Sequence, residues 1–154
     1  MSSEYEYSFN VSNLEDVICY CKDNGFIMTK NCYQVREIFR NKQNGYIARI
    51  TTDIVNEKVS TVLDFKEDKM TGEVLIQRKE SGELVFEDRQ SVLSILEFLG
   101  CVKDNEVKRN RIVYEKQGVK LELDDYFGGN YVVAIEGDKQ KADSVFEILK
   151  VFKV

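Results

Sequence analysis

Residues 109–137 read RNRIVYEKQGVKLELDDYFGGNYVVAIEG. Gln117-Gly118 and Gly128-Gly129 are turn signals, and the residues around them alternate with period two, as strands do when one face is buried and the other is not. Arg109 and Arg111 share one parity. Glu122 and Asp124 stand against Leu121 and Leu123, and Glu136 alternates with Val133 and Ile135. The segment predicts antiparallel strands with an apolar face and a face carrying charges of both signs.

The same alternation extends outward. Glu4, Glu6 and Ser8 oppose Tyr5, Tyr7 and Phe9; Arg49 lies between Ala48 and Ile50; Asp64 and Lys66 oppose Leu63 and Phe65; Arg78 and Glu80 alternate with Gln77 and Lys79. Further turn signals stand at Asn44-Gly45 and Ser81-Gly82. Three stretches carry the helical period. Leu14, Val17, Ile18 and Cys21 form the first stripe, with a Ser12/Glu15 capping box and Gly25 at C′. Val92, Ile95, Leu96 and Leu99 form the second, stopped by Gly100. Ala142, Val145, Phe146 and Leu149 form the third, starting near Asp138. A faint repeat at an offset of 75 residues maps Gly25 onto Gly100, Arg36 onto Arg111, Phe39 onto Tyr114 and the first helix onto the second, favouring two similar halves around a shared centre.

Composition narrows the function classes. A chain of 154 residues with 43% hydrophobic and 32% charged residues can bury a core as one domain spanning 1–154, which argues against disorder. The net charge of −5 disfavours broad adhesion to nucleic acid or anionic lipid, and no apolar run is long enough for a membrane helix. The N-terminus has no signal core, so a cytoplasmic location is expected. The four cysteines form no CxxC pair and there is no histidine, so a zinc site and the Ser-His and Cys-His nucleophile pairs are disfavoured. Buried free thiols in a reducing compartment are expected, Cys21 first among them.

A sheet wetted on one side would also alternate. Two features favour a ligand. Both signs of charge recur on nearly every strand, and most of the cations are arginines, whose rigid donor fork suits phosphate oxygens. Carboxylates at i, i+2, as in Glu4/Glu6 and Glu122/Asp124, offer hard oxygen ligands to Mg²⁺ or Mn²⁺.

The order of these strands resembles the CYTH domain, the group of class IV adenylyl cyclases, thiamine triphosphatases and inorganic triphosphatases also called triphosphate tunnel metalloenzymes. Glu4-Tyr5-Glu6-Tyr7-Ser8 is similar to the family's ExExK strand, Leu14-Glu15, Gly25-Phe26 and Gln34-Val35 to its first helix and next strand in cyclase-like members, and Ile47-Ala48-Arg49-Ile50 to a central arginine strand. Val62 to Lys66 matches a TLxxK-like strand, Arg78-Lys79-Glu80 the start of RxExE, Arg109 to Tyr114 a KxRxxY segment, and Leu121 to Gly137 the closing block.

The resemblance implies an α+β fold: an eight-stranded antiparallel closed barrel, the triphosphate tunnel, with helices packed outside. It implies phosphate contacts from Arg49, Lys66, Arg78, Arg109 and Arg111. Metal ligands would come from Glu4, Glu6, Asp124 and Glu136, with Glu80 assisting, and Glu4, Glu6, Arg49, Lys66, Arg78, Arg111 and Glu136 would face one enclosed cavity. The cofactor would be Mg²⁺ or Mn²⁺ and the partner a small organic or inorganic triphosphate, with a homodimer possible. The activity implied is a class IV adenylyl cyclase-like conversion of ATP to cyclic AMP and pyrophosphate; alternatives are an inorganic or thiamine triphosphatase and a nucleotide- or polyphosphate-binding module without turnover. Three positions depart from the family pattern: Ser8 replaces the lysine of ExExK, Gly82 the last acid of RxExE (with Glu83 adjacent), and Ala134 the first glutamate of the last ExE.

Overall fold

The structure, a computed structural model, describes residues 2–68 and 74–154, without the side chains of 2–4, 75 and 76. The elements run β1 (Ser2–Val11), α1 (Glu15–Asp23), β2 (Ile27–Asn41), β3 (Tyr46–Val55), β4 (Lys58–Glu67), β5 (Leu75–Glu80), β6 (Leu84–Val85), α2 (Arg89–Phe98), β7 (Val102–Lys116), β8 (Val119–Asp125), β9 (Tyr131–Gly137) and α3 (Lys139–Leu149), then a 3₁₀ turn at Lys150–Phe152. Strand order is β3-β2-β7-β8-β9-β1-β5-β4-β6. An additional β3–β4 pairing closes the order on itself, giving an α+β fold with a closed eight-stranded antiparallel barrel and the two-residue β6 as an appendage to β4.

The chain divides into two compact units. Among the described residues, one contains 2–3, 33–68 and 78–108, the other 4–32, 74–77 and 109–154. In the first, α2 lies on the strands before it in sequence: Val92 and Leu96 pack with Phe39 of β2, Ala48 and Ile50 of β3 and Leu63 of β4. Buried Glu37 ties this helix down, accepting hydrogen bonds from Arg89 Nη1 and Nη2 at 2.7 and 2.6 Å. That pairing, joined by Lys103, holds the Glu37 carboxyl below its ordinary range against the opposing effect of burial. In the second unit, Val17 and Cys21 of α1 and Ala142, Val145 and Leu149 of α3 join Tyr7, Phe9, Val11, Tyr114, Leu121, Leu123, Val133 and Ile135. Leu121, Leu123 and Ile135 are fully buried, each contributing roughly 1.5–3 kcal/mol.

The 75-residue repeat is visible in the elements. β2 and β7 have 15 residues each and begin 75 positions apart. Both preceding helices close in the same six-residue hydrogen-bonded turn: Phe26 N–H donates to the Cys21 carbonyl and Cys101 N–H to the Leu96 carbonyl, with Gly25 and Gly100 at φ +76° and +78°. Phe39 and Tyr114 are both core residues. The compact units, however, are not the sequence halves: α1 belongs to the unit of β7–β9 and α2 to the unit of β2–β4.

Three local expectations are corrected. The Ser12/Glu15 capping box does not form; α1 begins at Glu15, too late for it, and the Asp16 N–H is accepted by Asn13 Oδ1 at 3.1 Å. Ile95 and Leu99 are more than half exposed, because the face α2 turns into its core carries Val92 and Leu96, with Leu93 packed beside them. Glu83 is exposed in the loop after β5, so it does not take the place of the acid that Gly82 lacks. The Asp138 start of α3 is as read, its carboxylate accepting from Gln140 and Lys141 N–H. All four cysteines are free, with Cys21 fully buried and its thiol pushed up to about 12 by burial. Among the described residues no helix is long and apolar enough to cross a membrane.

Candidate functional site

Each unit turns its apolar strand parity toward its helices and leaves charged residues on the other parity. In the second unit the anchor is Arg111. It sits directly opposite Asp124 in the β7–β8 ladder and holds it as a fork, Nε to Oδ1 at 2.7 Å and Nη2 to Oδ2 at 2.8 Å, while Nη1 donates to Glu122 Oε2 at 2.6 Å. All three residues are buried, so the charges are kept only because they are paired. Arg109, two residues earlier on the same face, donates from Nη1 to the Tyr126 hydroxyl at 2.8 Å, lies over that ring, and passes 3.9 Å from Asp124 Oδ1.

Beside this anchor the carboxylates crowd. Glu6 of β1 pairs with Glu136 of β9, and Glu136 pairs with Lys120 of β8. Oxygens of Glu6, Glu122 and Glu136 lie within 4.8 Å of one another, and Lys120 Nζ is 3.0 Å from Glu136 Oε2. Burial first, then the charge and hydrogen bond of Glu122, push the Glu136 carboxyl well above its ordinary range; Lys120 opposes the shift and Glu6 adds to it. Hard oxygen ligands brought together against burial and mutual repulsion fit a divalent cation such as Mg²⁺ or Mn²⁺.

Sequence reading placed Glu4, Glu6, Asp124 and Glu136 as metal ligands. The structure brings together Glu6 and Glu136, adds Glu122, and commits both Asp124 oxygens to Arg111; the side chain of Glu4 lies outside the described residues. Glu122 was visible as half of an i, i+2 pair, but its role needs the register. It stands opposite Ala134, whose methyl group leaves the longer side chain room to reach diagonally to Glu136. Ala134 in turn stands opposite Ser8, so the two departures from the family pattern on these strands are neighbours.

In the first unit Arg49 is directly opposite Asp64 and forks onto it, with Nε to Oδ1 at 2.9 Å and Nη2 against Oδ2, while Nη2 also meets Glu80 Oε1 at 2.5 Å. Lys66, opposite Glu80, places Nζ 3.8 Å from Oε2. Arg36, the repeat equivalent of Arg111, donates to the Thr51 hydroxyl at 3.0 Å. Arg78 shares the Glu80 face of β5, and its Nε is buried with no acceptor among the described residues. A buried donor left unsatisfied costs about 1–3 kcal/mol.

No family model matches the chain, and no curated protein matches it. Solved structures do. The PH1012 protein of Pyrococcus horikoshii superposes with a TM-score of 0.72 at 18% identity, covering 96% of this chain and 88% of that one. An adenylate cyclase candidate from Vibrio parahaemolyticus gives 0.68 at 15% identity, covering 95% and 83%. An adenylyl cyclase candidate from Hippeastrum, described as having a dominant triphosphatase activity, gives 0.65 at 18% identity, covering 96% and 86%. The chain thus has the fold of these proteins.

Proposed function

We propose that this protein is a metal-dependent triphosphate-processing enzyme. The observation that carries the reading is the Glu6–Glu122–Glu136 trio beside Arg109 and Arg111 on one strand face: a cation site next to phosphate-binding forks. Glu6, Glu122 and Glu136 would hold Mg²⁺ or Mn²⁺, which when bound neutralises charge on the transferring or leaving phosphate. Arg49, Lys66, Arg78, Arg109 and Arg111 would bind the phosphate chain; the Arg78 donor that lacks an acceptor supports its part in this. Preorganised arginines cost little reorganisation as charge develops.

The reaction proposed first is the class IV adenylyl cyclase type, in which the ribose 3′-oxygen of ATP attacks the α-phosphorus and pyrophosphate leaves. Hydrolysis of an inorganic or thiamine triphosphate by water is the alternative, favoured by the activity described for the Hippeastrum protein. A binding module without turnover is a further reading, and the Ser8–Ala134 pairing favours it: the family's lysine and glutamate would be lost as one neighbouring pair, leaving the net charge of the face unchanged. Incubation with ATP, thiamine triphosphate and tripolyphosphate, each with Mg²⁺ and with Mn²⁺, separates these. Cyclic AMP with pyrophosphate identifies a cyclase, orthophosphate a hydrolase, binding without products a module, and no binding at all refutes the proposal.

A further inference from the structure

Lys120 lies on β8 two residues before Glu122, hence on the same strand face. Register sets it in a row across four paired strands, Glu115–Lys120–Glu136–Glu6, and its ammonium reaches Glu136 Oε2 at 3.0 Å. The two partners differ in access: the Lys120 side chain is 39% exposed and that of Glu136 10%, so the lysine approaches the carboxylate from the solvent side. The contrast with Arg111 is chemical. Arg111 is buried and its fork is committed to Asp124 and Glu122 by three short hydrogen bonds, whereas a lysine is a point charge on a flexible stem that can exchange partners. A divalent ion among Glu6, Glu122 and Glu136 would compete with the ammonium for the same oxygen and repel it.

We propose that Lys120 is a displaceable counter-ion. It neutralises Glu136 while the carboxylate trio is without metal. Once a divalent cation takes that charge, the released ammonium contacts the phosphate oxygens of the ligand, supplying on this face a lysine that position 8 does not. The inference rests on the metal–triphosphate reading above and assigns to it a further substrate-binding residue and an order, metal before phosphate.

The test is calorimetric titration of the whole chain at pH 8, first with Mn²⁺ alone, then with tripolyphosphate at saturating Mn²⁺, for wild type, Lys120→Met and Lys120→Gln. Removing a competing cation should tighten Mn²⁺ binding at least threefold, while tripolyphosphate binding weakens at least fivefold. A merely structural lysine would not move the two affinities in opposite directions, since loosening the site weakens both. Mn²⁺ affinity unchanged or weaker in both variants, or tripolyphosphate affinity unchanged, overturns the role of Lys120 and leaves the metal site standing. Wild-type protein that binds no Mn²⁺ at millimolar concentration overturns the metal reading and this inference with it. If Lys120→Met does not fold, the Gln variant, which keeps a polar tip, gives the same two readings.

Discussion

The charged faces of the two units begin alike and end differently. Each is built on an arginine forked onto the aspartate directly across an antiparallel pair, Arg49 on Asp64 and Arg111 on Asp124, with a second acid on the same guanidinium, Glu80 in one and Glu122 in the other. Around the Arg49 anchor the remaining groups are Lys66 and Arg78, the latter with a buried donor that finds no acceptor among the described residues. Around the Arg111 anchor they include Glu6 and Glu136, where burial and the neighbouring Glu122 push the Glu136 carboxyl well above its ordinary range. One face is short of negative charge and the other of positive charge. A divalent cation would answer the acid-rich face of the second unit, and a sheet merely wetted on one side has no reason to leave that deficit.

The largest expected effect tests the shared anchor. Asp64→Ala and Asp124→Ala each break a forked buried pair and leave the arginine only its second acid, so each should cost about 3 kcal/mol in urea unfolding. A loss below about 1 kcal/mol at Asp124 would mean that it is not an anchor, and would return it to the list of metal ligands. Next, Ser8→Lys should raise turnover of a triphosphate about tenfold if the lysine contributes about 1.4 kcal/mol to the barrier, read as kcat beside thermal stability. Because Ser8 stands opposite Ala134, the paired variant Ser8→Lys/Ala134→Glu should exceed the single one; equal turnover in all three proteins would show that neither position is a defect.

Smaller effects separate the two deficits. Arg78→Met removes an unsatisfied donor, so stability should stay level or rise by about 1 kcal/mol while triphosphate binding weakens; a clear loss of stability would mean that the donor has a structural partner. At Glu136 the folded-state pKa lies above the reference value of 4.5, so the folded chain binds more protons than the unfolded one above that pH. Stability of the metal-free protein should therefore decline as pH rises from about 4.5 into the alkaline range. Glu136→Gln should flatten that decline, and thermal melts across pH with a chelator present read it directly. A slope unchanged by the variant would mean that Glu136 is not the source of the decline.

Much of the fold could be read from residues whose effect is local. Gly25 and Gly100 end their helices because both sit at positive φ in the same turn, and Asp138 caps α3 as its side chain predicts. The Asn56-Glu57 turn between β3 and β4 escaped notice because both residues adopt positive φ without a glycine. The exchange of α1 and α2 between units could not be read either, since it depends on which apolar faces meet, not on either stripe. At the site, parity puts Arg49, Asp64, Arg111 and Asp124 on charged strand faces, but their pairing into anchors depends on register, as the trio does. Glu122 reaches Glu136 on a diagonal that exists only once the register of β8 and β9 is fixed and Ala134 is seen to leave space. Lys120 was invisible for the same reason: alone it is a surface lysine, and only the row with Glu136 and Glu6 gives it a task.

The account turns on whether the acid-rich face takes a divalent cation. Titration of Mn²⁺ into wild type and Glu6→Gln, with circular dichroism to confirm that both are folded, measures this most directly. The account predicts saturable binding to the wild type, weakened at least tenfold by a carboxamide that keeps the size of Glu6 and removes its charge. Identical Mn²⁺ isotherms for the two folded proteins would contradict it.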